Sequence, residues 1–345
     1  MTTAQTEKTN MSTATRPVTH FENLRLPVVA APMFLVSGPD LVVAACEAGI
    51  VGSFPSPNCR TTADLDVWMG TIRDRLASSR IATAPWALNL VTHRTNTRLA
   101  DDLRLVAEHR PDIVITALGS PAPVIDVVKS YGGTVIADVV SIALARKAAQ
   151  AGVDGLACVS AGAGGHTGHL SPFAFISAVR EFFDGIVTVG GAVTDGAGIA
   201  GAVAAGADLV YMGTRFLAAT ESMASPEYKQ MVVDHGPDDL IVSAGVTGTP
   251  ASWLRPSLVA NGFDPDNLVF GAERSYDAAS DGPARWKDVW AAGQGLQTIK
   301  SVEPVAGIVD RLESEFAAAT ARFVAHGYSA AAGAPTPHRA SERHH

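Results

Sequence analysis

The sequence predicts an α/β protein: a closed (β/α)8 barrel, the TIM barrel, with a cap inserted after the eighth strand. Three observations predict it. Eight short apolar runs occur before about residue 215, interleaved with longer, Ala-rich segments of helical period. The runs are continuously apolar rather than alternating, which marks strands buried on both faces in a parallel sheet. The dipeptide Ala-Gly recurs ahead of strands, at Ala48-Gly49, Ala151-Gly152 and Ala205-Gly206, where a helix C-terminus needs a left-handed residue. Eight such beats favour closure over an open, doubly wound sheet.

The strands predicted in order are Leu26–Met33, Gly49–Phe54, Ala84–Val91, Asp112–Leu118, Thr134–Val139, Gly155–Ser160, Ile186–Gly190 and Leu209–Gly213. Helical patterning covers Pro39–Ala48, Thr62–Ser78, Asn96–His109, Pro121–Tyr131, Ile142–Ala151, Pro172–Phe183 and Gly196–Ala205. After Arg215 the rhythm breaks. The stretch from Ala218 to Gln297 holds Pro226, Pro237, Pro250, Pro256, Pro265 and Pro283 together with Trp253, Trp286 and Trp290. It reads as a partly helical insertion that folds back over the barrel. Glu303–Phe323 then forms a long amphipathic helix, with Val305, Ile308, Val309, Leu312 and Phe316 on one face, that closes the barrel. The expected organisation is a polar tail over 1–20, a barrel over 21–217 and 298–326, a cap over 218–297, and an Ala/Pro/Ser/His-rich tail over 327–345.

Composition narrows the function classes. Hydrophobic residues make up 47% and charged residues 17% of the 345, enough for a sizeable core and too little charge for a disordered chain or a coiled coil. A net charge of −8 gives no broad basic footprint for nucleic acid or an anionic membrane. No window is long and apolar enough to span a bilayer, and the N-terminal segment lacks the apolar stretch of a secretory signal. Cys46, Cys59 and Cys158 are widely spaced with no CxxC, as in a reduced, cytoplasmic protein. A small-molecule substrate is expected, with no nucleic-acid or membrane partner; a homodimer is compatible with the sequence.

Barrel enzymes place their chemistry at the C-terminal ends of the strands. Strand seven ends in Gly190-Gly191 and strand eight in Met212-Gly213-Thr214-Arg215, followed in the first case by a helix start at Thr194-Asp195-Gly196. Glycines there let backbone N–H groups approach a phosphate, while two tight turns without a ligand are the plainer alternative. Strand six runs into Ser160-Ala-Gly-Ala-Gly-Gly-His-Thr-Gly-His169. This small-residue run can bend inward and deliver His166 as a general base, or leave it a structural histidine. His169 lacks further metal ligands nearby and reads as a loop residue; no metal site is predicted. Asp138 ends strand five, where it either orients a base or accepts loop N–H bonds. Asn89, inside an apolar strand, needs buried hydrogen-bond partners of the kind a planar heteroaromatic ring provides. Cys158, mid-strand, reads as core.

At these residues the chain resembles the nitronate monooxygenase family, formerly called 2-nitropropane dioxygenases, which are FMN-dependent barrel enzymes. The matching pieces are Ala31-Pro32-Met33, Asn89, Ala163-Gly-Gly-His-Thr-Gly168, Gly190-Gly191, Met212-Gly-Thr-Arg-Phe216 and Trp290-Ala-Ala-Gly-Gln294, within a resemblance from about Phe21 to Phe323. It implies that Met33 and Asn89 touch the flavin ring or ribityl chain, that Gly190, Gly191, Gly213 and Thr214 hold the FMN phosphate, and that His166 is the catalytic base. Gly293 and Gln294 would approach the flavin from the returning C-terminal segment. Gly164, Gly165 and Asp138 complete the expected cofactor-binding set. Many members carry lysine, serine or threonine near the end of strand five, where this chain has Asp138-Val139.

The resemblance implies oxidation of alkyl nitronates, or of nitroalkanes after deprotonation by His166, with dioxygen as co-substrate and a carbonyl compound and nitrite as products. The same glycine–histidine loop occurs in flavin-dependent enoyl-acyl-carrier reductases. An NAD(P)H-dependent flavin reductase acting on an enoyl- or ketoacyl-thioester is therefore the alternative, and a non-catalytic flavin-binding protein is a third reading.

Overall fold

Short runs of Val, Ile, Leu and Ala with no polar break can be buried on both faces only where one face meets helices and the other meets a second apolar layer. A computed structural model describes residues 21–269 and 287–326. In it the predicted runs become the strands β1 (Val28–Ala30), β2 (Val51–Pro55), β3 (Trp86–Val91), β4 (Ile113–Ala117), β5 (Thr134–Val139), β6 (Gly155–Val159), β8 (Ile186–Gly190) and β9 (Leu209–Met212). They form a closed parallel barrel in chain order, sealed where Val28 pairs with Val210 and Ala30 with Met212. The short strand β7 (Gly165–His166) belongs to another sheet.

Alternation along each strand builds two cores. Val29, Val51, Ile113, Ile136, Ile186 and Leu209 fill the barrel interior. Their neighbours, such as Leu88, Val114, Val135, Leu156, Val187 and Val210, face outward into the larger core beneath the helices. Those helices are α1 (Pro39–Glu47), α2 (Thr62–Ala77), α3 (Leu99–His109), α4 (Ala122–Ser130), α5 (Ile142–Gln150), α6 (Pro172–Arg180), α7 (Gly196–Ala204) and the single turn α8 (Thr214–Leu217). Their starts follow local chemistry: Thr61 and Asp64 form a capping box on α2, and Ser141, Ser171 and Asp195 cap α5, α6 and α7. Gly49, Gly152 and Gly206 all take positive φ at helix ends, as the Ala-Gly repeat predicts.

The stretch after α8, expected to be partly helical, also contains strands. Besides α9 (Pro226–Asp234) and α10 (Arg255–Ala260), it supplies β10 (Leu240–Ser243) and β11 (Ala251–Leu254). These pair antiparallel, and β11 pairs in turn with β7, so the order of the second sheet is β10-β11-β7. Trp253 is fully buried on this sheet with Val246, Leu258 and Val289, while Leu254 joins Val36, Leu217 and Leu296 at its root on the barrel. The expected residues Trp286 and Pro283 lie outside the described residues. The last helix, α11 (Val305–Ala325), buries Val305, Ile308, Val309 and Leu312 against the barrel's outer core, as predicted. Strand β1 ends earlier than expected: Met33 lies beyond it, in a turn where Leu35 takes φ 59° and its N–H donates to Asn58 Oδ1 at 2.7 Å. The described residues contain no helix long and apolar enough to cross a membrane.

Candidate active site

Inside the barrel the aliphatic layers give way, near the C-terminal ends, to polar residues at inward positions. Asn89 stands two residues above Ala87, Asp138 above Ile136, Thr188 above Ile186 and Tyr211 above Leu209, and all four lower residues belong to the interior cluster. Asn89 is buried and its Nδ2 donates to Asp138 Oδ2 at 3.2 Å, bridging β3 and β5 across β4. Asp138 Oδ1, Tyr211 Oη and Thr188 Oγ1 are shielded from water with no hydrogen bond of ordinary geometry inside the protein. Part of Asp138 remains accessible although Oδ1 is not. Burial pushes the Asp138 carboxyl up to about 7, against the weaker opposing pull of Asn89 and Tyr211. Burial, with the Asp138 carboxyl beside it, likewise raises Tyr211 well above the ordinary phenol value.

Above this layer, glycines bring backbone segments into direct contact. Gly191 has φ 138°, and a Cβ there would lie 2.6 Å from the Ala161 carbonyl oxygen, so the loops after β6 and β8 touch only because this residue is glycine. Gly164 and Gly293 are packed backbone on backbone: a Cβ on Gly293 would sit 2.7 Å from Gly162 O and 2.9 Å from Gly164 N. Hydrogen bonds hold the same junction. Gln294 N donates to Gly162 O at 2.9 Å, and Gly293 N donates to Thr214 Oγ1 at 2.8 Å. The strand ends are thereby joined to the returning segment. Gly213 faces the Met33 sulfur across β1 and β9, and Gly190 faces Tyr211.

The N-terminus of α7 is already occupied by carboxylates: Asp195 accepts from Gly198 N at 2.6 Å, and Glu315 of α11 accepts from Gly196 N at 2.9 Å. An incoming anion would meet negative charge at this helix start.

His166 is half-buried in β7, opposite Ala251 of the cap. The loop carrying it is stapled on both sides: Thr167 N donates to Pro250 O at 3.2 Å, and Thr167 Oγ1 donates to Ser160 O at 3.1 Å. The cap therefore sets the backbone of the predicted base. His169 is exposed in the loop before α6, as expected, and the Gln294 side chain is exposed although its backbone is bound to the loop after β6. Trp290 is half-buried and stacks on Tyr228 at 4.9 Å between ring centroids. Contacts thus run from Met33 through Gly213, Thr214, Gly293 and Gly164 to the His166 strand, and from Gly190 through Tyr211 and Asp138 to Asn89. Tyr211 and Thr188 were not anticipated; counting by two along β8 and β9 would have placed both inward.

The model of the nitronate monooxygenase family matches residues 15–315. A curated nitronate monooxygenase of Paraburkholderia phytofirmans is 27% identical, with 84% of this chain and 92% of the relative covered. A (3aS,4S,5R,7aS)-5-hydroxy-7a-methyl-1-oxo-octahydro-1H-indene-4-carboxyl-CoA dehydrogenase of Rhodococcus jostii is 29% identical over 72% of this chain and 68% of the relative. The solved structure of FabK from Thermotoga maritima superposes with a TM-score of 0.72 at 24% identity, covering 88% of this chain and 96% of that one, a likeness of fold. A match over nearly the whole chain, on an eight-stranded barrel whose predicted site residues meet at one end, makes this protein an oxidoreductase of the nitronate monooxygenase family.

Proposed function

We propose that the protein binds FMN at the C-terminal end of the barrel and oxidises alkyl nitronates, with dioxygen, to a carbonyl compound and nitrite. The observation that carries this reading is the convergence of Met33, Asn89, Asp138, the Gly164–His166 strand, Gly190, Gly191, Gly213, Thr214 and Gly293 at one barrel mouth. These residues fit a flavin mononucleotide. Orphaned polar atoms of the upper layer match the polar edge of a heteroaromatic ring, and the absence of a side chain at Gly213, whose Cβ position has no neighbour nearer than 3.5 Å, leaves room at this strand end for a phosphate beside Gly190 and Gly191. The capped start of α7 leaves that phosphate to the strand-end glycines and Thr214. The sequence offers no second glycine-rich nucleotide motif for an adenosine.

When bound, FMN supplies the electron-accepting chemistry and the route to dioxygen. The rest falls to the chain. The cap holds the backbone of His166, whose imidazole takes the α-proton when a neutral nitroalkane replaces the nitronate. A second reading, an NAD(P)H-dependent reductase of an acyl thioester, draws on the relative named as a CoA dehydrogenase. The free, buried thiols of Cys46, Cys59 and Cys158 agree with a reducing, cytoplasmic setting.

The cofactor half is tested by denaturing purified protein and identifying what it releases. FMN, together with nitrite formation from a nitronate in air, is the expected result. FAD, or no flavin even after reconstitution, would overturn the reading.

A further inference from the structure

Asp138 is the one carboxyl on the inward face of the described barrel strands. The inward groups around it are Ala157, its pairing partner on β6, Ile115 of β4, Asn89 of β3, Thr188 of β8 and Tyr211 of β9. Tyr211 is the one other titratable group among them, and none is charged. The two carboxyl oxygens are not equivalent. Asn89 Nδ2–H donates to Oδ2, and a carbonyl oxygen accepts an N–H better than a hydroxyl oxygen does, so this bond favours the proton on Oδ1. Oδ1 is buried and makes no hydrogen bond of ordinary geometry, with the Tyr211 hydroxyl beside the carboxyl. An ionised carboxylate in this place would have only neutral neighbours, the Asn89 amide and the Tyr211 hydroxyl, to offset its burial, a costly arrangement that a proton on Oδ1 relieves.

We propose, resting on the flavin reading above, that Asp138 stands as the neutral acid and donates its Oδ1–H to an acceptor atom on the edge of the bound flavin ring, with Asn89 deciding which oxygen carries the proton. Burial agrees, since it pushes this carboxyl up to about 7. The donor is also switchable. Loss of the proton turns it into a negative oxygen facing an acceptor, so flavin affinity falls as pH rises through the range in which Asp138 ionises. An asparagine in its place keeps both halves of the arrangement, a carbonyl for Asn89 and an N–H for the ring, and does not titrate.

The test compares FMN dissociation constants of reconstituted wild-type protein and Asp138→Asn from pH 6 to pH 9, with Asp138→Ala as a third protein. Titration of the FMN phosphate is common to all three and cancels in the comparison. Wild type should weaken by about tenfold or more across this range relative to Asp138→Asn, and Asp138→Ala should bind about tenfold more weakly than Asp138→Asn throughout, the usual scale of one lost buried hydrogen bond. Infrared difference spectra of the FMN-loaded proteins at pH 6 should show a protonated carboxylic-acid carbonyl that disappears in Asp138→Asn. Parallel pH curves for wild type and Asp138→Asn, or an ionised Asp138 at pH 6, would overturn the proposal while leaving flavin binding intact. Failure of the wild type to bind FMN at any pH would instead overturn the flavin reading, and this proposal with it.

Discussion

His166 is reached by a run of small residues, and its backbone is held from outside by Ala251, the cap residue paired with it, and by the bond from Thr167 to Pro250. A base so placed gains from orientation. General-base catalysis contributes about 10²–10⁴-fold, so His166→Asn should cut turnover of a neutral nitroalkane by a factor in that range. A preformed nitronate needs no deprotonation and should lose far less, and FMN content should stay near wild type because the phosphate-side glycines lie on other strands. Steady-state kinetics with both substrates check this, and equal losses on the two would remove the base assignment. The glycines of the site were legible in the sequence because a missing Cβ leaves a signature wherever backbones must touch. Tyr211 was not, since a tyrosine within Leu209–Met212 looks like any strand aromatic until closure of the barrel decides which side it faces.

At the scale of elements, eight continuous apolar runs were enough to predict the barrel, because a strand buried on both faces has few other sequences available to it. The cap sheet was hidden for the opposite reason. Leu240–Ser243 and Ala251–Leu254 are four residues each, and their third strand, Gly165–His166, comes from a distant loop with no strand character of its own. Only tertiary pairing makes these segments strands. The sheet is anchored by Trp253, which is 0% exposed and whose indole Nε1–H donates to Ser243 O at 3.4 Å. Trp253→Ala should therefore cost about 3–5 kcal/mol of stability, measured by chemical denaturation. Because β11 also carries the pairing to His166, activity on a neutral nitroalkane should fall more than FMN affinity does. A stability loss under ~1 kcal/mol would show that the sheet does not depend on this core.

At the scale of the whole molecule, closure depends on a join between the end of the barrel and its last helix. Arg215 is 2% exposed and has two guanidinium nitrogens without hydrogen bonds. Its charge is balanced by Glu303, 3.7 Å away, just before α11, and Glu303 is also paired with Arg311. Burial lowers the proton affinity of Arg215 and by itself would raise that of Glu303. Hydrogen bonds from Ser301 and Arg311, with the charges of Arg215 and Arg311, nonetheless hold the Glu303 carboxyl below its ordinary value. An acid with a depressed folded-state value contributes stability that is present above 4.5 and lost as pH falls through the lowered value. Glu303→Gln should thus cost about 3 kcal/mol at neutral pH by leaving buried Arg215 without its ion-pair partner, with only the weaker pull of Glu315, and should flatten the acid limb of the stability curve; urea melts at pH 7 and pH 4 check both. The central claim, that this barrel mouth takes electrons from a nitronate, is tested most directly by mixing oxidised, FMN-loaded protein with propane-2-nitronate without oxygen and following the flavin absorbance. Rapid bleaching by the nitronate, with none by NADPH, is the predicted result; bleaching by NADPH and none by the nitronate would contradict it.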